Sequence, residues 1–408
     1  MARPIKPIYL IIGTALLMLF TCSAPLAPIT IQSANIGTGS SDTLPPTRAT
    51  KPDNKPTASA RPPTIVPTRK PTQSTQIPLA SPANDELSRT IDRYIADLTT
   101  NGAFSGAILV ARNGQIILAN GYGPADGDRN IVNTAKTRFR LASDTKQFTA
   151  MATLMLANQG RLKLSDPICN YIDQCPDAWK PILIRHLLNH TSGLYDYTDS
   201  LDYDATESQP ATPQQLVARF RDQPLGFTPG DLYDYCNSGY VLLGLIVERA
   251  SGMSYPEFIQ QNIFQPLGMS ESGYDSGATF DPTQAFPHSS AGQKATYLNT
   301  TTLFSAGGLY STVEDLYRWD QALYTEQLIP QALLDEMFTP GNGSYGYGWK
   351  IERPYGRLRI SHAGNMTGVS NFIARYPEQH ATIIVLSNIE ITNAVGISDY
   401  IASIMLGS

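Results

Sequence analysis

The chain has 408 residues, 42% of them hydrophobic, so it is long enough to form one large core or two domains. Its net charge is −5, and the segment 86–408 is more acidic, with 22 basic and 32 acidic residues, which argues against binding to nucleic acid. Neither Cys-x-x-Cys nor His-Glu-x-x-His occurs, so the sequence gives no indication of a metal or other cofactor.

The N-terminus has the pattern of an export signal. Two basic residues precede an apolar run over 8–20, which is short for a membrane span but has the length of a signal-peptide core. Cys22 follows directly, as in bacterial lipoproteins, although Thr21 stands where Gly, Ala or Ser is usual. We expect residues 1–22 to be a signal peptide. The protein would then be exported to the cell envelope and anchored in the membrane through a lipid on Cys22; simple secretion and an uncleaved anchor are the alternatives.

Residues 23–85 form a segment rich in proline, threonine and serine. It contains ten prolines between Pro45 and Pro82, and few of its residues could contribute to a core. This composition predicts a semi-extended, disordered linker. The linker is basic, which would allow weak association with anionic cell-wall material, but a solubilising spacer accounts for the same composition. The folded domain is therefore expected over 86–408.

The folded part begins with a helix predicted over 85–99 and two strands predicted over 105–112 and 115–120. Asn113-Gly114 between the two strands is typical of a β-hairpin. Residues 160–340 are mostly helical in pattern. Strands are predicted again near the C-terminus, over 347–352, 358–362, 370–376 and 382–387. A last helix is predicted over 394–406. Both ends of the chain would thus form one α/β layer and the middle a second lobe, with a cleft between them for a site.

Within the middle segment, Ser311 and Glu314 have the spacing of a capping box, which predicts a helix from there to Tyr324.

Two cysteines of the middle segment are close in sequence. If Cys22 is lipidated, Cys169 and Cys175 can pair as a small-loop disulfide in an oxidising compartment, which leaves Cys236 free.

Ser143-Asp144-Thr145-Lys146 combines a nucleophile and a base at the start of a predicted helix. A serine and a lysine three residues apart lie on the same helix face, and the first turn offers free N–H groups. Apolar residues spaced three and four apart follow, which predicts an amphipathic helix ending at Gly160. Acyl transfer by a covalent serine enzyme needs these parts. The alternative is that Ser143 only caps the helix and Lys146 is solvated.

Two further elements suit such a site. Tyr235-Cys236-Asn237 follows a turn and precedes a helix, so its tyrosine can shuttle a proton and its asparagine can bind a substrate amide. A second Tyr-x-Asn begins at Tyr297, but only the first copy leads directly into an apolar helix. The alternative for Tyr235 is that of a packed core residue.

The second element is His362-Ala363-Gly364, at the end of a predicted strand, followed by Asn365. Small residues after a strand allow a substrate to lie along the backbone edge, and the Asn365 N–H is a candidate oxyanion donor. The alternative for His362 is a strand-end histidine bonded to a loop.

The order and placement of these elements resemble the serine β-lactamase/penicillin-binding-protein superfamily. The closest resemblance is to its class C-like branch of β-lactamase-related hydrolases, D-Ala-D-Ala carboxypeptidases and esterases. It covers nearly all of 86–408, and includes phrases that we interpret as structural, at 187–194 (LLNHTSGL), 305–309 (SAGGL) and 347–349 (YGW). The resemblance implies an α+β fold: an antiparallel sheet flanked by helices, with a mostly helical second lobe.

The resemblance also implies the roles of residues. Ser143 would be acylated, and Lys146 and Tyr235 would act as a coupled base and then as acid to the leaving group, in an order that the sequence does not settle. The Ser143 and Asn365 N–H groups would form the oxyanion hole. The residues expected to bind substrate are Asn237, His362, Gly364 and Asn365. A small molecule or a peptide is the expected substrate, and no cofactor is implied.

Departures from the family pattern shift the expected substrate. True class C β-lactamases have lysine where His362 stands, and a neutral histidine attracts a substrate carboxylate less at pH 7. We therefore expect esters or D-amino-acid peptides and amides rather than penicillin to be hydrolysed. Cys236 replaces a common serine, and the residues 365–367 replace a glycine-rich run, which predicts a narrower rim.

Two other functions fit the sequence less well. A penicillin- or wall-binding module of the same fold, with little or no turnover, is opposed by the intact set of Ser143, Lys146, Tyr235 and His362. An α/β-hydrolase with a Ser-His-Asp triad is opposed by the lack of a Gly-x-Ser-x-Gly sequence.

Overall fold

The computed structural model describes residues 85–277 and 283–407. The predicted signal peptide, Cys22 and the linker up to residue 84 lie outside the described residues. Within the described ranges, no helix is both long enough and apolar enough to cross a membrane.

The strands, in chain order, are β1 (Gly106–Arg112), β2 (Gln115–Tyr122), β3 (Pro124–Asp126), β4 (Ile131–Val132), β5 (Phe139–Arg140), β6 (Gly273–Tyr274), β7 (His288–Ser290), β8 (Gln293–Lys294), β9 (Leu309–Ser311), β10 (Lys350–Glu352), β11 (Arg359–Met366), β12 (Val369–Tyr376) and β13 (Ala381–Ser387). The helices are α1 (Asp85–Thr100), α2 (Thr145–Asn158), α3 (Ile184–Leu188), α4 (Tyr203–Thr206), α5 (Pro213–Phe220), α6 (Asn237–Ser251), α7 (Tyr255–Ile259), α8 (Gln265–Leu267), α9 (Phe304–Gly307), α10 (Val313–Ala322), α11 (Gln331–Met337) and α12 (Ala394–Leu406).

The main sheet has six antiparallel strands in the order β10-β11-β12-β13-β1-β2. It joins the two ends of the chain, because β1 pairs with β13 from Gly106 opposite Ser387 onwards. The predicted hairpin is confirmed: Asn113 and Gly114 both have positive φ, 54° and 71°, as a two-residue turn between twisted strands requires. The predicted antiparallel sheet with flanking helices and a mostly helical second lobe is confirmed.

The two faces of the sheet pack against different helices because side chains alternate along each strand. Ile108 and Val110 of β1 face one core, which they share with α1 and α12. Ala107, Leu109 and Ala111 face the larger core, which includes α2, α6 and α10. This larger core extends into the helical lobe, so the sheet and this lobe share one continuous apolar interior.

The amphipathic character predicted for the helix after Ser143 is wrong. Every side chain of α2 from Thr145 to Leu156 is buried, because α6, α7, α9 and α11 surround this helix together with core residues of the sheet. A helix that is covered on all sides lies inside the core rather than at its surface. The predicted helix end at Gly160 is confirmed by the left-handed φ of 68° at that residue.

Two local predictions need correction. The helix α10 is capped by Thr312, whose hydroxyl accepts from the Asp315 N–H at 3.1 Å, not by Ser311, which is the last residue of β9. The strand predicted to end at His362 continues to Met366, because residues 362–366 all pair with β12. The expected disulfide between Cys169 and Cys175 is present, and Cys236 is free and buried.

Candidate active site

Ser143 lies in a 3-10 turn, Ala142–Asp144, directly before α2. Ala142 has a left-handed φ of 49°, a costly conformation for alanine, which turns the chain sharply before the serine. The Leu141 N–H, which donates to the Leu309 carbonyl at 2.8 Å, fixes the start of this turn. Ser143 does not cap α2, since Asp144 occupies the N-cap position, so that alternative is wrong.

The Lys146 amine has three polar partners. It lies 3.0 Å from Ser143 Oγ, 2.8 Å from Asn237 Oδ1 and 2.9 Å from the Ala306 carbonyl oxygen. The amide and carbonyl oxygens can only accept hydrogen bonds, whereas the serine hydroxyl can also donate. If the amine is neutral, its two N–H bonds serve the two obligatory acceptors, and its lone pair faces Ser143.

The neutral form of Lys146 is accessible near neutral pH. The side chain is fully buried, and this burial lowers its pKa from 10.5 to about 7. The nearby Asp196 opposes this shift because negative charge favours the ammonium form, and Cys236 and Asp144 do so in their ionised forms. The alternative of a solvated Lys146 is therefore wrong.

Asn237 is held between Lys146 and an acidic anchor that sequence analysis missed. Its side-chain amide donates to Asp196 Oδ2 and Thr198 Oγ1, both at 3.1 Å, which fixes Oδ1 towards the lysine. Asp196 Oδ2 also accepts the Asn237 backbone N–H at 2.7 Å, at the first turn of α6. The only sequence signal for this anchor was the Asp-x-Thr spacing, which favours a local turn.

Tyr235 lies beside the pair of Ser143 and Lys146. The Lys146 amine is 4.9 Å from the centre of the Tyr235 ring. Burial raises the pKa of Tyr235 far above 10, and the adjacent Ser143 hydroxyl lowers it only in part. The Tyr235 hydroxyl makes no regular hydrogen bond in the described structure. The other tyrosine of this pattern, Tyr297, is 51% exposed and is not near Lys146 by any described contact.

The ring of His190 packs against that of Tyr235. From the sequence, His190 was interpreted only as part of the structural segment 187–194. Its ring centre is 4.2 Å from that of Tyr235, and its Nδ1 accepts from the Cys236 N–H at 3.0 Å. Its Nε2 therefore carries the proton. Burial, and next the charge of Lys146, hold its pKa well below the ordinary value, so the ring is neutral.

His362 is also buried and neutral. Its Nδ1 lies 2.8 Å from the Ala363 carbonyl, which can only accept, so Nδ1 carries the proton and Nε2 accepts from the Tyr345 hydroxyl at 2.8 Å. Burial lowers the pKa of His362 to about 3, and Lys146 adds to this shift. Tyr345 belongs to the loop before β10, so the histidine is bonded to a loop, as its alternative interpretation expected, although it is not at a strand end.

Gly364 and Asn365 occupy different environments on β11. A Cβ at Gly364 would lie 2.2 Å from the Leu141 carbonyl oxygen, so only glycine allows this strand to approach the Ser143 turn so closely. Asn365 is exposed. In the described structure β10 pairs with β11 only as far as Ser361, so the outer edge of β11 beyond that residue has no strand beside it.

The structure thus brings Ser143 and Asn237 into direct contact with Lys146, with Tyr235 beside them. It places His362 and Gly364 behind the Ser143 turn rather than in the open. A nucleophile with a buried amine next to it is an arrangement that can carry out acyl transfer. Among the described residues there is no group of three or more His, Cys, Asp or Glu side chains that could hold a metal ion.

Comparisons with known proteins show the family of this chain. The profile of the family described as Beta-lactamase matches residues 91–404. The putative penicillin-binding protein PbpX of Bacillus subtilis (strain 168) is 32% identical over 314 residues, which cover 75% of this chain and 77% of the relative. Penicillin-binding protein 4* of the same organism is 34% identical over 313 residues, 70% of this chain and 68% of the relative.

Solved structures show the same fold. A penicillin-binding protein from Bacillus halodurans is 29% identical with a TM-score of 0.68, and 78% of this chain and 99% of that chain are covered. The octameric penicillin-binding protein homologue from Pyrococcus abyssi is 26% identical with a TM-score of 0.70, at 78% and 77% coverage. D-amino acid amidase from Ochrobactrum anthropi SV3, at 24% identity, shares the fold with a TM-score of 0.70, and 79% of this chain and 99% of that chain are covered. The chain belongs to the beta-lactamase family.

Proposed function

We propose that the protein is a serine hydrolase that acts through an acyl-serine intermediate. The observation that carries this proposal is the set of partners around the Lys146 amine, because two of the three can only accept hydrogen bonds. The neutral amine must then direct its lone pair at Ser143, 3.0 Å away. In the first step the Ser143 oxygen bonds to the substrate carbonyl carbon while its proton passes to Lys146.

Tyr235 acts after the first proton transfer. Because burial keeps its phenol protonated, Tyr235 is poorly suited to be the first base. We assign that role to Lys146, and propose that Tyr235 relays the proton to the leaving group. When the carbonyl re-forms, the bond to the leaving group breaks and that group takes the proton. Water then cleaves the acyl-serine ester.

The oxyanion hole is proposed to consist of the backbone N–H groups of Ser143 and Asn365. The support is that the 3-10 turn of Ser143 contacts β11, and that Asn365 lies on the part of β11 that β10 leaves uncovered. Preorganised N–H donors of this kind stabilise the negative charge of the tetrahedral intermediate. Asn237 contributes by holding Lys146, and a substrate amide would have to share its amide group with Asp196.

An uncharged ester or amide, or a D-amino-acid peptide, is the substrate class that we propose. The support is the neutral state of His362, both of whose ring nitrogens have partners within the protein. A neutral histidine offers no positive charge to a substrate carboxylate. A second candidate, a penicillin-binding protein with little turnover, is supported by the names of the two Bacillus subtilis relatives.

One experiment separates the two candidates. Purified full-length protein would be mixed with p-nitrophenyl acetate, a D-alanyl-D-alanine peptide and a penicillin, each under single-turnover and steady-state conditions. A hydrolase releases product repeatedly, whereas a penicillin-binding protein with little turnover gives one burst and then a stable adduct. Absence of both burst and turnover with all three substrates would contradict the proposed acyl-serine chemistry.

We also propose that the protein is exported and held at the membrane through Cys22. The support is the sequence pattern of 1–22, an apolar run followed directly by cysteine. Changing Cys22 to serine should move the protein from the membrane fraction to the soluble fraction of expressing cells. An unchanged membrane fraction would contradict lipid anchoring through this residue.

A further inference from the structure

Asp144, the residue after the proposed nucleophile, is a buried acid that the proposed mechanism does not use. Its side chain is fully buried, and neither carboxyl oxygen has a hydrogen-bond partner in the described structure. An ionised carboxylate without donors is far more costly to bury than a neutral carboxylic acid. Burial accordingly raises the pKa of Asp144 well above the ordinary range, although the charge of Lys146 lowers it in part.

The groups that face Asp144 come from three directions. From β11, His362 places its Nδ1 3.8 Å from Asp144 Oδ1. From α2, the charge of Lys146 acts on Asp144, and in the segment before α6 a charge on Asp144 would raise the pKa of Tyr235. His362 and Tyr235 are both neutral, so the only cation among these groups is protonated Lys146.

The same carboxyl lies against the strand that borders the proposed oxyanion hole. A Cβ at Gly364 would be 3.0 Å from Asp144 Oδ2, so the acid packs directly against β11 at the residue that precedes Asn365. Asp144 is also the immediate neighbour of Ser143. The charge of Asp144 therefore affects two groups whose own charge decides the reaction. These are the Lys146 amine, which must be neutral, and the substrate carbonyl oxygen, which becomes negative in the tetrahedral intermediate.

We propose that Asp144 controls acylation through its charge: Ser143 reacts only while the Asp144 carboxyl is protonated, and loss of that proton to solvent at alkaline pH switches acylation off. This inference rests on the proposed acyl-serine function. Two effects of the ionised form act in the same direction. A buried carboxylate beside the hole repels the developing oxyanion, and it favours the ammonium form of Lys146.

The test compares wild type with Asp144→Asn, an uncharged side chain of nearly the same shape. The second-order rate constant of Ser143 acylation by p-nitrophenyl acetate would be measured from pH 6 to pH 10.5. Circular dichroism at each pH would establish that the protein stays folded. Both proteins should show the same rise through about pH 7, where Lys146 loses its proton. Wild type should then lose at least tenfold in rate on the alkaline side, and Asp144→Asn should not.

The outcomes are distinguishable. If Asp144→Asn shows the same alkaline fall as wild type, or wild type shows none while folded, the inference is overturned and the proposed function stands. If wild type is not acylated at any pH, both are overturned. A merely structural role would lower the rate of Asp144→Asn at all pH values without removing the alkaline fall, and this result would also overturn the inference. If Asp144→Asn does not fold, Asp144→Ser, another uncharged side chain, replaces it with the same expected result.

Discussion

The Lys146 amine lies 3.0 Å from the Ser143 hydroxyl, and among its three hydrogen-bond partners in the described part of the chain only this serine can donate a proton. The 3-10 turn and the first turn of α2 set the spacing of these two residues, and α6 and α9 supply the acceptors. The pair therefore depends on three elements that the fold brings together from distant parts of the chain.

The first prediction concerns the acid side of the pH profile. Because acylation requires neutral Lys146, whose pKa burial lowers to about 7, the rate should rise about tenfold per pH unit below 7 and level off above it, until the alkaline fall that we attribute to Asp144 begins. Lys146→Ala should lower the rate by several orders of magnitude, and Lys163→Ala, on an exposed lysine, should not. A twofold loss in Lys146→Ala, measured by stopped-flow acylation with an activated ester, would mean that the base is another group.

The second prediction concerns Asn237. Changing it to Asp places a carboxylate at the position of the oxygen that lies 2.8 Å from the Lys146 amine. A negative charge so close raises the pKa of the lysine, so the rising limb of acylation should move to higher pH by about one unit or more. Asn101→Asp, at the exposed end of α1, is the control and should leave the limb in place. An unshifted limb in Asn237→Asp would contradict the contact between this side chain and Lys146.

The third prediction concerns the approach of β11 to the Ser143 turn. Gly364→Ala introduces a methyl group 2.2 Å from the Leu141 carbonyl oxygen, so the backbone must shift. Overpacking of this kind costs about 1–3 kcal/mol in free energy of unfolding and should also misplace Ser143, with a loss of acylation. Gly127→Ala, where the added carbon meets nothing within 4 Å, is the matched control. Urea unfolding and acylation rates check both; equal stabilities of the two variants would contradict the close approach.

The fourth prediction concerns stability in acid. The pKa of His362 is about 3 in the folded protein against 6.5 as its ordinary value, so between these values the unfolded chain binds the additional proton. His362 therefore contributes stability above pH 6.5 that is lost as pH falls towards 3, at about 1.4 kcal/mol per pH unit. His362→Gln should reduce the slope of unfolding free energy between pH 6.5 and 5 by about that amount. The free energy of unfolding at pH 8 measures separately what His362→Gln loses in packing. If the variant keeps the wild-type slope of unfolding free energy against pH, His362 is not buried in its neutral form.

Much of the fold could be predicted from the sequence because its signals are local. The Asn113-Gly114 turn and the boundaries of α12 depend on neighbouring residues alone. The amphipathic prediction for α2 failed because burial on all sides depends on helices that lie far away in sequence. The strand end at His362 was misplaced since the small residues that follow it pair with β12 rather than form a loop.

The candidate site shows the same division. The spacing of Ser143 and Lys146 is local, so the sequence could suggest their contact. Asp196 and the Ala306 carbonyl could not be identified in this way, because their contacts with Asn237 and Lys146 span 41 and 160 residues. A backbone carbonyl also carries no residue signature at all. The buried state of Asp144 was likewise invisible, since an aspartate at a helix N-cap is ordinarily solvent-exposed.

Site mapping of the acyl adduct tests the central claim most directly. Full-length wild type and Ser143→Ala would be exposed to p-nitrophenyl acetate and, separately, to a penicillin, quenched in acid, and examined by intact mass and peptide mapping. We predict an adduct in wild type on the peptide that contains Ser143, and none in Ser143→Ala, with unchanged circular dichroism in the variant. An adduct of equal yield in Ser143→Ala, or one mapped to another residue, would contradict the acyl-serine account.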